Sequence, residues 1–367
     1  MSTRRAKSTA ALSSARSIDL TDLPLGFIDV ELGTPPAELI NSTKVVVLHP
    51  EQGPPAGVLK VARGVLGAAE LRTQRRVLAE LAVHQGLDDE WRELVPRILA
   101  FNERTDATTS VESYRPGMDL AAVLASRAKC ATELTASALT AIAPLHRRTA
   151  TFVGMDNICY LRRWVIEPLA DVAYMCQRLD PRLVAKVDHL GGMLRQALIG
   201  QRIPVSWTHG DYTPANVRVA DAHGRVTGIV DWGGARPGRP AVIDEYLMVL
   251  TVACLVEGAE LGTVVADRLR TGGLSRAERD ALGVARERSD AEIGKRKRAN
   301  AEIDEKVAIL LTWLHRVADL WRKRATPPNQ HVWLAANVAP VLKAVAAGYG
   351  PLGYAVSRRN SDVDGRP

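Results

Sequence analysis

The chain has 367 residues, of which 46% are hydrophobic and 24% are charged, enough for a packed core in more than one average domain. The formal net charge is +7, but acidic residues lie between the basic stretches, so we predict a solvated surface and no nucleic-acid partner. No apolar run approaches the roughly 18 residues of a membrane span, so we predict no membrane partner. The four cysteines show no paired spacing, which is typical of free thiols in a reducing cytoplasm.

The first part of the chain is predicted to be rich in β-structure. Residues 1–18 are Ser/Ala/Arg-rich and are predicted to be a disordered tail, not a secretory signal. The runs KVVVL (44–48) and GVLKVA (57–62) flank a Pro/Gly loop, which predicts a hairpin. Apolar residues at helical spacing predict a helix over 66–85. Two more short strands are predicted at 97–101 and 109–114, before a break at RPG (115–117).

The chain after this break is predicted to be mainly helical. Helices are predicted at residues 120–126, 132–148, 161–178 and 182–198, and helical pattern resumes from 242 to about 347. A β-rich island at 204–232 interrupts them, and its last two apolar runs are joined by a tight-turn sequence. The predicted fold class is α+β, with a small β-rich N-lobe (19–112) that holds one main helix, a hinge (113–117), a large mainly helical C-lobe (118–354) and a disordered tail (355–367).

The island carries the residues best suited to chemistry, in the sequence WTHGDYTPANVRVADAHGRVTGIVDWGGARPG. Asp211 ends a short strand after His209 and Gly210, Asn216 begins the next strand, and Asp231 ends the partner strand of the following hairpin. Pairing of these strands brings two carboxylates and an amide together. Such hard oxygen ligands suit Mg²⁺, and a carboxylate near an acceptor hydroxyl suits phosphoryl transfer.

These motifs resemble the aminoglycoside phosphotransferase family of the protein-kinase-like superfamily. HGD-x4-N stands where protein kinases have HRD-x4-N, and DWG stands where they have DFG. The resemblance implies a two-lobed protein-kinase-like fold and transfer of the γ-phosphate of ATP (or GTP) to a hydroxyl of an antibiotic, sugar, nucleoside or amino alcohol. It implies that Asp211 is the catalytic base, that Asn216 and Asp231 bind Mg²⁺, and that His209 supports the loop. The enzyme would be a cytoplasmic kinase.

The resemblance also requires a strand lysine that holds the α- and β-phosphates, and Lys60 in GVLKVA takes this place. The loop that contains Ser42 and Thr43 would cover the phosphates, although it lacks the glycines of a G-x-G-x-x-G motif. The chain departs from the pattern at the helix glutamate that pairs with this lysine, because Gln74 occupies the position. Either Glu70, one turn earlier on the same face, takes the role or Gln74 hydrogen-bonds Lys60; we favour Glu70.

Two further segments match the family in outline. Residues 111–114, with Glu112 and Tyr114, resemble the hinge whose backbone groups read the nucleotide base, so adenine and guanine both stay open. Asp244 stands where the family has an acidic residue after the metal aspartate, and we interpret it as a structural anchor of the loop. His146 is interpreted as a packing residue.

The acceptor and the biological role stay open at this stage. Glu257 and Glu260 are candidates to bind a polycationic acceptor, and helical aromatic residues are candidates for a flatter pocket or for plain core: Trp164, Tyr174, Trp313, Trp321 and Trp333. A Ser/Thr protein kinase is disfavoured because no A-P-E motif follows DWG. A catalytically inactive kinase-fold scaffold is the other alternative. Resistance and biosynthesis are equally open, as are a monomer and a homodimer.

Overall fold

The computed structural model describes residues 43–50, 52–105, 107–220, 224–293, 303–323 and 329–350. The chain forms two compact units. The first comprises Met1–Thr151, Val205–Met248 and Asp280–Arg296, and the second comprises Phe152–Pro204, Val249–Arg279 and Lys297–Pro367. The division into lobes at a hinge over 113–117 stays a prediction.

A four-stranded antiparallel sheet begins the first unit. Its strands are β1 (Thr43–Leu48), β2 (Gly57–Ala62), β3 (Ile98–Glu103) and β4 (Thr108–Ser113), in the spatial order β1-β2-β4-β3. The register sets Lys60 of β2 opposite Ser110 of β4. Alternate apolar side chains of these strands share one small core, formed by Leu48, Leu59, Val61 and Val111. The strands predicted from β-branched runs are therefore present.

Helices account for most of the remaining described residues. In chain order they are α1 (Val65–Ala82), α2 (Asp89–Arg92), α3 (Leu120–Ser126), α4 (Ala131–Arg148), α5 (Ile158–Leu161), α6 (Glu167–Leu179), α7 (Val184–Leu198), α8 (Val242–Glu257), α9 (Leu261–Thr271), α10 (Arg276–Ile293), α11 (Glu305–Lys323), α12 (Gln330–Asn337) and α13 (Ala339–Ala344). Helix α1 packs on the first sheet, and Leu71 and Leu78, about two turns apart, are among its buried residues. It ends at Ala82, three residues before the predicted end at residue 85.

Further short strands lie in and beside the β-rich island. They are β5 (Met118–Asp119), β7 (Arg202–Thr208), β8 (Val217–Val219), β9 (Val226–Ile229) and β10 (Arg236–Arg239), with β6 (Thr151–Gly154) preceding β7 in the chain. The order β5-β8-β9 confirms the predicted hairpin, whose turn residues 221–223 lie outside the described residues. Strand β10 pairs with β7, and no strand was predicted for this segment. Its partner strand lies far away in sequence, which no local pattern reveals.

The second unit has a core built around buried tryptophans. Trp164 and Trp313 are completely buried, so both belong to the core and neither lines an acceptor pocket. The Trp313 indole N–H donates to the carbonyl of Asn337 at 2.8 Å, and His315 Nε2 lies 3.0 Å from the carbonyl of Trp164. The first bond satisfies the indole N–H of Trp313, as a buried tryptophan requires, and the second pairs the buried His315 ring with a backbone carbonyl.

Among the described residues, no single helix has the length and apolar composition of a membrane span. Two pairs of neighbouring helices meet those criteria only when the two bent helices of a pair are counted as one segment. These pairs are Val242–Glu257 with Leu261–Thr271 and Gln330–Asn337 with Ala339–Tyr349.

Candidate active site

The loop that carries Asp211 is held by a buried carboxylate. Asp244, near the start of α8, accepts hydrogen bonds from the backbone N–H groups of His209 (2.6 Å) and Gly210 (2.8 Å). It also accepts from His146 Nε2 at 2.9 Å. Asp244 is completely buried, so its desolvation is offset by charge-assisted bonds that fix the loop backbone.

The protonation state of Asp244 suits such an anchor. Burial alone would raise its pKa, but the hydrogen bond from His146 and the electrostatic influence of His146 and His209 outweigh this effect and hold the pKa below its ordinary value. The side chain is therefore an ionised acceptor at neutral pH. His146, interpreted from the sequence as a packing residue, is buried and fixes this carboxylate.

His209 links the Asp211 loop to the end of β9. Its Nδ1 accepts from the Asp211 N–H at 3.3 Å, and its Nε2 lies 2.9 Å from the Val230 carbonyl. A carbonyl oxygen only accepts, so Nε2 is the donor in the bond to Val230. The ring is buried against Trp232, with centroids 4.6 Å apart. Because both nitrogens are engaged within the protein, His209 is placed to support the loop.

Two glycines let the Asp211 loop and the DWG turn touch backbone to backbone. Gly210 has φ +79°, a conformation that favours glycine. A Cβ atom on Gly210 would lie 2.2 Å from the carbonyl oxygen of Gly234. Gly234 follows Trp232 and Gly233 in a single 3₁₀ turn, Trp232–Gly234. The HGD and DWGG motifs are therefore in direct contact.

The metal-binding residues predicted from the sequence lie at this contact. Asn216 donates from Nδ2 to the carbonyl of Asp211 at 2.8 Å, and the Val230 N–H donates to the Asn216 carbonyl at 2.9 Å. Asp231 follows with φ +67°, a left-handed conformation that an aspartate tolerates better than most residues, and its side chain is 47% exposed. Backbone and amide bonds thus bring the three segments of Asp211, Asn216 and Asp231 together.

Lys60 lies between two carboxylates in the same unit. Its Nζ atom is 3.3 Å from Glu112 Oε2 and 3.5 Å from Asp231 Oδ1. Gln74 of α1 donates from Nε2 to Glu112 Oε1 at 2.7 Å. The Lys60, Glu112 and Gln74 side chains are all buried. Burial alone raises the pKa of Glu112, and although the charge of Lys60 opposes this effect, the pKa stays above its ordinary value.

This arrangement corrects the sequence-based assignment of the lysine's partner. The sequence offered Glu70 or Gln74, but the ion pairs of Lys60 are with Glu112 and Asp231, and the Gln74 amide bonds Glu112. Glu70 lies instead against the DWG turn, because a Cβ atom on Gly233 would be 2.8 Å from Glu70 Cγ. Glu112 was selected only for its backbone. The available signal was a charged residue, Glu112, next to Val111 in a predicted strand.

The remaining nucleotide-binding residues predicted from the sequence are placed as follows. Ser42 lies outside the described residues, and Thr43 is the first residue of β1, opposite Ala62. The Tyr114 N–H donates to the Ala56 carbonyl at 3.2 Å. Glu112 lies within β4, opposite Val58 of β2, so its backbone belongs to the sheet.

The carboxylates proposed to bind a cationic acceptor are engaged within the second unit. Glu257 forms an ion pair with buried Arg268, which also pairs with Glu278 at 2.8 Å. Glu260 accepts from Asn337 Nδ2 at 3.0 Å. These contacts favour a structural role for both glutamates.

The donor set fits a nucleotide and Mg²⁺ better than a metal held by protein alone. Among the described residues, no group of three or more His, Cys, Asp or Glu side chains could hold a metal ion. Mg²⁺ commonly takes one or two protein oxygen ligands and completes its shell with phosphates and water, which Asn216 and half-exposed Asp231 would permit. The ammonium of Lys60 has no contact of hydrogen-bond geometry within the described residues, so it retains donors for a phosphate.

Comparison with known proteins places this chain in a family and shows structures to which it is similar. Residues 35–278 match the model of the phosphotransferase enzyme family (APH). A thermostable mutant of aminoglycoside phosphotransferase APH(4)-Ia, solved with ADP and hygromycin B, has a TM-score of 0.52 and 15% identity, covering 87% of this chain and 95% of that one. Glucosamine kinase (crystal form B) gives 0.48 and 17%, covering 84% and 76%. An aminoglycoside-3'-phosphotransferase of type VIII gives 0.47 and 17%, covering 86% and 98%. Among curated proteins, none matches.

The fold and the motifs define a phosphotransferase of protein-kinase-like fold. The chain belongs to the phosphotransferase enzyme family, whose model covers well over half of its length. The predicted family, the α+β kinase-like fold class and the assignment as an enzyme are therefore confirmed.

Proposed function

We propose that this enzyme transfers the γ-phosphate of ATP or GTP to a hydroxyl of a small molecule, with Asp211 as the catalytic base. The observation that carries the proposal is the bonded contact between the Asp211 loop and the segments of Asn216 and Asp231. It consists of the Asn216–Asp211 bond, the His209–Val230 bond and the Gly210–Gly234 contact.

The reaction follows from what these side chains can do. The half-buried Asp211 carboxylate accepts a hydrogen bond from the acceptor hydroxyl and takes its proton as the hydroxyl oxygen bonds to the γ-phosphorus. The bond from the γ-phosphorus to the β–γ bridging oxygen breaks, and the nucleoside diphosphate leaves. Lys60 holds the α- and β-phosphates. Mg²⁺, bound by Asn216, Asp231 and the phosphates, would supply neutralisation of phosphate charge.

The acceptor class is an antibiotic, sugar, nucleoside or amino alcohol that bears a free hydroxyl. The APH(4)-Ia structure contains hygromycin B, an obvious first member of an acceptor panel. Glucosamine and a set of nucleosides extend the panel to the other classes.

Replacing Asp211 tests the assignment of the catalytic base. Phosphate transfer from labelled ATP and GTP to the panel is measured with Mg²⁺ for the wild type and for Asp211→Asn. We expect transfer to fall by about 10² to 10⁴, the usual size of a general-base contribution, while ADP affinity changes little. The matched control, Asp188→Asn, alters an exposed aspartate of α7 and should keep wild-type activity. Wild-type transfer by Asp211→Asn would refute the assignment.

A further inference from the structure

Resting on the proposed function, we propose that Glu112 is the positioning residue that holds Lys60 toward the nucleotide phosphates, and that Gln74 fixes Glu112. In the family pattern a carboxylate on the helix after the lysine strand has this role. Here the carboxylate lies on β4, inside the same sheet as the lysine.

The sheet register explains how the two side chains meet. Lys60 lies directly opposite Ser110, so Glu112 is its diagonal neighbour two residues along β4, on the same face. Long side chains at such diagonal positions reach each other across adjacent strands. Hydrogen bonds of the β2–β4 ladder thus fix both backbones, and the 3.3 Å ion pair follows from the strand geometry.

Gln74 complements this carboxylate from the helix. It is buried, and its Nε2 donates to Glu112 Oε1 at 2.7 Å while Glu112 Oε2 faces Lys60. A glutamate at position 74 would place a second carboxylate beside Glu112 without a proton to share. The Gln74 amide instead donates a hydrogen bond to Glu112. Compared with the family pattern, the charged group is on the strand and the helix carries a neutral amide.

Charge balance assigns Glu112 a role that Asp231 cannot fill. Lys60 is buried, and a buried ammonium requires a nearby carboxylate. Asp231 is 47% exposed and lies 3.5 Å away, but in the proposed reaction its oxygens bind Mg²⁺. Glu112, whose side chain is only 3% exposed, is then the carboxylate that stays with Lys60 throughout nucleotide binding.

The test is an exchange of the two groups between helix and strand. Glu112→Gln removes the carboxylate, Gln74→Glu adds one on the helix, and the double variant E112Q/Q74E moves it from strand to helix with the same atoms otherwise. Glu103→Gln, which changes an exposed side chain of β3, is the matched strand control. For each variant we measure ADP affinity by calorimetry, kcat and KM for ATP, and Tm.

We expect Glu112→Gln to weaken ADP binding and raise the KM for ATP by about tenfold to 100-fold, because the variant loses the ion pair that positions Lys60. The double variant should recover most of this loss, because the carboxylate at position 74 lies beside residue 112, with which it can share a hydrogen bond, and so stays near Lys60. Glu103→Gln should match the wild type. If Glu112→Gln fails to fold, the ADP affinity and the KM for ATP of the double variant are compared directly with those of the wild type.

Two results would overturn the inference: wild-type nucleotide affinity and KM in a folded Glu112→Gln variant, or a folded double variant whose affinity is no better than that of Glu112→Gln. When Glu112→Gln does not fold, a folded double variant more than tenfold weaker than the wild type overturns it. Nucleotide binding without transfer in the wild type would remove the proposed reaction and leave the affinity comparison valid. No nucleotide binding by the wild type would overturn both.

Discussion

At the scale of single residues, the most constrained position of the site is Gly210. Its φ of +79° is one obstacle to a side chain, and the 2.2 Å that would separate a Cβ atom there from the Gly234 carbonyl oxygen is another. The first is local backbone strain, and the second is a collision between the Asp211 loop and the DWG turn. Gly200 has nearly the same angle, φ +78°, but no atom lies within 4 Å of its Cβ position.

This pair of glycines separates strain from collision. Gly200→Ala should lower the free energy of unfolding by about 1 kcal/mol through strain alone and leave transfer activity unchanged. Gly210→Ala should lower it further and reduce kcat by on the order of 10²-fold, because it displaces the loop of Asp211, the proposed catalytic base. Urea denaturation and steady-state kinetics of both variants check this. Equal activity of the two variants would contradict the contact described between the motifs.

The same scale shows what the sequence could and could not reveal about the site. His209 and Asn216 could be selected from their motifs, because the spacing along a strand, a loop and a hairpin is local information. Glu112 was missed as a charged partner because its contact depends on β2 pairing with β4, a non-consecutive neighbour. The roles of these residues in catalysis stay predictions.

At the scale of elements, strands and helices with strong local patterns were predictable, and elements that depend on distant partners were not. β1, β2 and β4 have β-branched sequences and were found within a residue or two of their predicted bounds. β10 contains Pro237 and Gly238, which weaken any local strand signal, and it exists because β7 lies beside it. Pairing with β7 therefore stabilises a strand that the local sequence does not favour.

Adjacent glycines in α7 provide a prediction about this helix. A Cβ atom on Gly192 meets nothing within 4 Å, whereas one on Gly191 would lie 2.9 Å from Leu169 Cδ1. Gly192→Ala should therefore raise the free energy of unfolding by about 0.5–1 kcal/mol, since it removes backbone entropy from the unfolded chain. Gly191→Ala should give no gain, because crowding offsets the same benefit. Thermal denaturation of the two variants measures the difference, and equal stabilisation would show that Leu169 yields freely.

At the scale of the whole molecule, the four thiols divide into two kinds. Cys130 and Cys159 are exposed, whereas Cys176 is buried and Cys254 is partly buried. Burial, with the nearby charge of Asp180, raises the pKa of Cys176 to about 11. Burial, with Glu257 and then Glu260, raises the pKa of Cys254 to about 12.

Since the thiolate is the reactive form, the native protein at pH 8 should react rapidly with a disulfide reagent at the two exposed thiols, Cys130 and Cys159. All four should react after denaturation in guanidinium. In the variant C130S/C159S the rapid phase should disappear, which an absorbance assay of the released thiol measures directly. A rapid phase that persists in this variant would show that Cys176 or Cys254 is accessible.

The position of the lysine's counter-ion has a consequence for control of the enzyme. Protein kinases can be switched because their lysine meets a glutamate on a helix, and movement of that helix makes or breaks the contact. In this chain both charges belong to neighbouring strands, so movement of α1 would leave their backbones paired and would act on the ion pair only through the Gln74 bond that orients Glu112. The contact between lysine and glutamate therefore depends mainly on the pairing of β2 with β4 and only secondarily on the helix.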